Sequence, residues 1–149
     1  MHLMRTIEKE VLQWFSINEN VILNSIRTLR DESMDDLLNN RDTEPFDAAW
    51  ITADKALQLH KRQLAPEQAA ILAAYSDKIR QSFYLAVIKS TGSPDLAAYV
   101  SDDIELIFDA LSTCYDNEFV FSIINSYLSG KVPDNQMTYI KDNPSGLYA

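Results

Sequence analysis

Residues 90–130 read STGSPDLAAYVSDDIELIFDALSTCYDNEFVFSIINSYLSG. Three signals in three residues set the first boundary. Gly92 suits the left-handed end of one helix, Ser93 the cap of the next, and Pro94 its first position, where a missing N–H is tolerated. Beyond it the apolar residues fall at helical spacing. The pattern predicts a short helix from Pro94 to about Tyr99, then one capped by Ser101 with Ile104, Ile107, Phe108, Leu111 and Tyr115 on its inner face. Asp116 and Asn117 separate it from a last helix with Phe119, Val120, Ile123, Ile124, Tyr127 and Leu128 inward, ended by Gly130 and Pro133.

Upstream, the same period recurs. Met4, Ile7, Val11, Trp14 and Phe15 predict a first helix to about Phe15, and a second is expected from Asn18 to Asn39. A third opens at Pro45, turns Phe46, Trp50, Ala53 and Leu57 inward, and closes in the basic run His60, Lys61, Arg62. Pro66 opens the longest, through Lys89. Residues 83–88 of it are apolar nearly all round, which places this helix at the centre of the bundle. From Lys131 the helical period is lost, leaving an extended tail in which Met137 to Ile140 forms a short strand or an extended segment docked by Tyr139. With only three glycines and five prolines, the chain does not suit a loop-rich β fold. The expected class is all-α: a single domain over residues 1–149, a bundle of six or seven helices with an extended C-terminal tail. A chain of this length buries roughly 68–70 % of its unfolded surface, so it needs no disulfide or metal to fold.

Catalytic constellations are absent from the sequence. Cys114 is the sole cysteine, set among apolar neighbours and read as a packing thiol. His2 and His60 are the only histidines, the first near the terminus and the second a solvated helix-end residue. No nucleophile elbow, zinc helix, di-iron pattern, phosphate loop or dinucleotide fingerprint occurs. No cofactor and no metal are expected. One acidic cluster, Asp102, Asp103 and Glu105, has the composition of a magnesium site, with Asp35 and Asp36 the only second motif. The ordinary account of the cluster, and the one favoured, is acids at a helix N-terminus stabilised by its dipole.

Charge is more informative. Of the net −9, residues 93–149 hold −7, carrying nine acids and two bases. Such a surface repels nucleic acid and anionic membrane and attracts basic partners. Within residues 90–130 stand Asp95, Asp102, Asp103, Glu105, Asp109, Asp116 and Glu118, with no lysine or arginine. On a helical wheel Asp102, Glu105, Asp109 and Asp116 oppose the apolar face, Asp103 lies between, and Leu106 falls beside the acids. Like charges at this spacing repel when unrelieved, and a basic partner would relieve them. An ordinary solvated helix face with a single exposed leucine also accounts for this stripe. Read as an interface, its partner-binding set is Asp95, Asp102, Asp103, Glu105, Leu106, Asp109, Asp116 and Glu118, with Leu106 or a nearby aromatic as the apolar anchor.

In size, acidity and lack of catalytic motif, and in the face spelled by SDDIELIFDAL (101–111), the chain resembles the small all-helical bacterial immunity proteins that neutralise contact-dependent or other polymorphic toxins. The resemblance implies a cytoplasmic, non-catalytic protein that binds a cognate toxin, often a basic nuclease, and contacts neither nucleic acid nor membrane directly. Three other readings stand beside it: a nucleic-acid mimic that inhibits a defence enzyme, a metal-dependent helical enzyme using Asp102, Asp103 and Glu105, and a secretion chaperone with a long apolar groove.

Overall fold

Thirteen of the nineteen residues between Pro94 and Ser112 are buried, which makes this stretch the axis of the fold. The computed structural model describes residues 5–148, with the backbone alone at residues 31 and 32. His2 and Met4 lie outside the described residues. Six helices follow in order: α1 (Glu8–Arg27), α2 (Asp31–Arg41), α3 (Phe46–Lys61), α4 (Pro66–Thr91), α5 (Pro94–Ser112) and α6 (Glu118–Leu128). The fold is all-α, and no strand occurs among the described residues, so Met137 to Ile140 does not form one.

Three boundaries differ from the expected ones, each for a local reason. Residues 16–20 bend nothing, since they contain neither proline nor glycine. Ile22, Leu23 and Ile26 continue the buried face of Val11, Trp14 and Phe15, so α1 runs unbroken to Arg27. The real break comes at residues 28–30, and the acidic run 31–36 therefore opens α2, at the end where the helix dipole favours acids. Ser101 is no cap. It lies fully buried inside α5, its hydroxyl donating to the Ala98 carbonyl at 3.0 Å.

The boundary at Gly92 forms as the sequence predicts. Gly92 takes φ +68°, and Ser93 Oγ accepts the Leu96 N–H at 3.2 Å. At the far end of α5 the chain closes a Schellman turn, with Cys114 N–H to the Leu111 carbonyl and Tyr115 N–H to Ala110. Cys114 holds the left-handed position at φ +53°, and Gly130 fills the equivalent place after α6 at φ +85°.

The centre is α5, not α4. The α4 residues Leu72, Ser76, Ile79, Phe83 and Val87 bury one stripe against α5, whereas Leu85, inside the apolar run, is 56 % exposed. α1, α3 and α6 cover the remaining sides of α5. Phe15 of α1 meets Phe83 and Phe108 at ring distances of 5.9 and 6.2 Å, which knits α1, α4 and α5 together. The tail returns over α6, where the Ile140 N–H donates to Ser122 Oγ at 2.9 Å and the Tyr139 ring, 55 % exposed, lies 6.3 Å from that of Phe119.

Candidate functional site

A helix covered on nearly all sides cannot show a stripe of carboxylates to solvent. Asp103 has 0 % exposure and Asp109 and Leu106 have 2 % each, so the exposed stripe expected at 102–116 is corrected at three positions. Leu106 is core, not an anchor.

The buried acids are paired, and the bases come from other helices. Arg41, at the end of α2, meets Asp103 with both terminal nitrogens, Nη1 to Oδ2 at 2.6 Å and Nη2 to Oδ1 at 2.9 Å. Trp50 Nε1–H donates to Asp103 Oδ1 at 2.8 Å and the Tyr127 hydroxyl to Oδ2 at 2.7 Å, so the carboxylate receives four donors. The Arg41 guanidinium lies 4.9 Å from the Phe46 ring centre and 4.8 Å from that of Tyr99, and also donates to the Pro133 carbonyl at 3.2 Å. Burial works against its charge, but Asp103 more than reverses this and holds the Arg41 pKa above the ordinary arginine value. Burial and then Asp103 push the Tyr127 phenol well up.

Lys61, closing α3, reaches Asp109 Oδ2 at 2.7 Å. Asp109 Oδ1 has no hydrogen-bond partner; burial raises the carboxyl pKa, and Lys61 opposes this without cancelling it. From α4, Arg80 Nη2 stands 2.8 Å from Asp102, and its Nε lies 3.0 Å from Glu105 as an ion pair without hydrogen-bond alignment. The repulsion that looked unrelieved within residues 90–130 is thus relieved inside the fold.

What remains at the surface is a face of α5 flanked by α3 and by the end of α2, termed the α3–α5 face. Three clefts of about 260, 420 and 220 Å³ share Asp102; the first and last also share Trp50, and the last two share Tyr99. Asp54, Glu105 and Asp109 join the lining of the first, Asp42 and Asp95 that of the second, and Asp47 that of the third. With Asp103 and the three paired bases Arg41, Lys61 and Arg80, the face holds eight carboxylates against three cations, a surplus of five negative charges. The Tyr99 hydroxyl donates to Asp42; this hydrogen bond and then burial push its pKa up to about 12.

The structure brings Asp95, Asp102 and Glu105 together on this face and puts Asp103, Leu106 and Asp109 beneath it. Asp116 and Glu118, both exposed, stand apart at the α5–α6 turn and line none of the three clefts. A sequence signal for the α3 half existed: Asp47, Trp50, Ile51 and Asp54 stand at i, i+3, i+4, i+7, an apolar pair flanked by acids on one helical stripe.

The residues weighed for chemistry in the sequence are engaged elsewhere in the fold. Asp103 faces inward while Asp102 and Glu105 face Arg80, so the three do not converge, and no group of three metal-ligating side chains does so among the described residues. His60 is not solvated as expected: it stacks on Tyr115 at 4.6 Å and its Nε2–H donates to the Thr113 carbonyl at 3.1 Å. Burial pushes the half-buried Cys114 thiol up, away from a reactive thiolate. A cleft of about 640 Å³ between α1, α2, the end of α6 and the tail is lined mostly by polar side chains and is not the long apolar groove a chaperone needs.

A family model described as "Immunity protein PIM1" matches residues 14–134. The chain belongs to this family of immunity proteins. The match spans α2 to α6 entire and most of α1, and with them the whole α3–α5 face. A PIM1-family immunity protein has a toxin as its partner and neutralisation as its role. No curated protein and no solved structure matches the chain. No helix among the described residues is long and apolar enough to cross a membrane.

Half-buried Glu105 gives a pH test of the face. Burial first, and Asp109 second, raise its pKa; Arg80 and Lys61 oppose this without cancelling it, and Asp102 adds to it. A carboxyl raised in the folded state contributes stability that is full below its unfolded pKa and lost as pH rises through the folded value. Glu105→Gln is therefore expected to stabilise the protein slightly relative to wild type at pH 7. The advantage should shrink as pH falls toward the ordinary glutamate range. Denaturant unfolding of both proteins across that range checks this, and an advantage that grows on acidification contradicts it.

Proposed function

We propose that this immunity protein neutralises its toxin without catalysis, by laying the α3–α5 face against a basic surface of a nuclease-type toxin and occluding its substrate groove. The observation that carries this reading is the surplus of five negative charges around three adjoining clefts, with Trp50, Ile51 and Tyr99 between them. Carboxylates supply steering and the half-exposed aromatics supply contact area. A nuclease groove built to bind phosphates has the complementary sign. Asp95, Asp102 and Glu105 take part directly; Asp103 and Asp109 act from beneath by holding their neighbours in place. The cytoplasm of the producing cell is the compartment in which such a protein would meet an incoming toxin.

The test is the association rate with the cognate toxin domain, on this reading a basic nuclease. Asp54→Asn, Asp95→Asn and Glu105→Gln together are expected to leave the fold intact and to slow association by about tenfold at low salt, with a flatter salt dependence. Wild-type rates and wild-type salt dependence in the triple variant would place the interface elsewhere. Inhibition of several unrelated DNA-binding proteins by the wild type would favour a nucleic-acid mimic instead.

A further inference from the structure

Between the start of α3 and the first half of α5 lies the smallest of the three clefts, about 220 Å³, lined by Phe46, Asp47, Trp50, Ile51, Tyr99 and Asp102, with Arg41 below. We infer that this pocket receives one arginine or lysine side chain of the toxin, the arginine fitting better. The inference rests on the reading of the α3–α5 face as the toxin interface and names the group that face captures.

The lining is cation-binding chemistry. Aromatic faces attract a guanidinium or ammonium through their quadrupoles, and carboxylates at the same opening attract it through charge. The fold already uses this combination once, since Arg41 rests on Phe46 and Tyr99 and is answered by Asp103. Trp50 and Tyr99 remain half-exposed, and Asp47 has no ion-pair partner among the described residues. The volume is right for one side chain: 220 Å³ holds about seven water-sized groups, and an arginine side chain has seven non-hydrogen atoms.

Arg41 does not repel the occupant, because its charge is spent on Asp103 in a two-point pair. Its Nε is a buried nitrogen without a hydrogen-bond partner, on a residue that is 4 % exposed and lines this pocket. That nitrogen is covered within the fold, so the carboxylates and aromatic rings at the opening are what recognise the occupant. The walls are also set in advance: Trp50 is tied through Nε1–H to Asp103, and Tyr99 through its hydroxyl to Asp42. Fixed walls reduce the ordering that binding requires.

Nuclear magnetic resonance with small probes separates the pocket from the rest of the face. The protein has two tryptophans, and Trp14 is buried in the core, so the Trp50 indole N–H is a distinct reporter. Titration with N-acetyl-arginine N-methylamide is expected to move the Trp50 indole and Tyr99 ring signals. The uncharged citrulline analogue should leave them in place. Asp47→Lys, at an exposed position in the first turn of α3, should abolish the arginine response and weaken toxin binding by about tenfold or more, with the melting temperature lowered by only the few degrees expected for a base in place of an acid at a helix N-terminus. Equal shifts with citrulline, no shift with saturating arginine probe, or wild-type toxin affinity in Asp47→Lys would each overturn the inference. If the Asp54, Asp95 and Glu105 triple variant slows association while Asp47→Lys does not, the face stands and the pocket falls. If neither changes toxin binding, the reading of the face itself fails.

Discussion

Asp103→Ala is expected to cost about 3–5 kcal/mol of folding free energy, the range for breaking a buried pair by removing one partner. The loss is not mainly that of the attraction. Arg41 would keep its charge at a site that is 4 % exposed, where burial already works against the guanidinium and Asp103 is the main group that reverses the balance. Its one remaining acceptor would be the Pro133 carbonyl at 3.2 Å, and the Trp50 N–H and Tyr127 hydroxyl would lose theirs too. Because these four groups belong to α2, α3, α6 and the tail, the damage should spread through half of the molecule. Urea unfolding monitored by tryptophan emission measures it. Arg41→Met combined with Asp103→Leu should cost clearly less than Asp103→Ala, since no charge is left stranded, and adding Tyr127→Phe should recover more. A single-variant loss under about 1 kcal/mol would mean that water reaches the network and that the pair is not the clasp described.

The same network shows what the sequence could and could not convey. Helix existence was legible, because the 3.6-residue period and the signals at Gly92, Ser93 and Pro94 are written in adjacent residues. The all-α class and the immunity-protein resemblance rest on features spread along the whole chain, and both agree with the fold and the family match. Burial of the acids was not legible. A carboxylate is almost never fully buried unless paired, and the partners of Asp103 and Asp109 stand 62 and 48 residues away. Counting bases only within residues 90–130 made the acids look unrelieved, when Arg41, Lys61 and Arg80 relieve them across helix contacts. The apolar run in α4 misled for the converse reason: Leu85 in it faces solvent, and the truly enclosed helix is the one carrying the acids. The α3 half of the face was written in the spacing of Asp47, Trp50, Ile51 and Asp54. Its meaning depended on α5 lying alongside, which no local pattern states.

Leu106→Ala puts the corrected geometry to its sharpest single test. A wheel that sets Leu106 beside exposed acids makes it a contact anchor, so that truncation would spare stability and lower toxin affinity. At 2 % exposure, under the cleft lined by Trp50 and Leu57, the order reverses. Truncation there removes buried carbon and leaves a void in a helix packed on nearly every side, with little room to collapse. The expected loss is about 2–5 kcal/mol, while Leu106→Met, which conserves volume, should stay within about 1.5 kcal/mol. Toxin association, measured at a temperature where the alanine variant remains folded, should keep its wild-type rate, because the steering carboxylates Asp54, Asp95 and Glu105 are untouched. A stability change under about 0.5 kcal/mol would put Leu106 back at the surface. The apolar contacts offered to a partner are then Ile51, Trp50 and Tyr99 rather than Leu106.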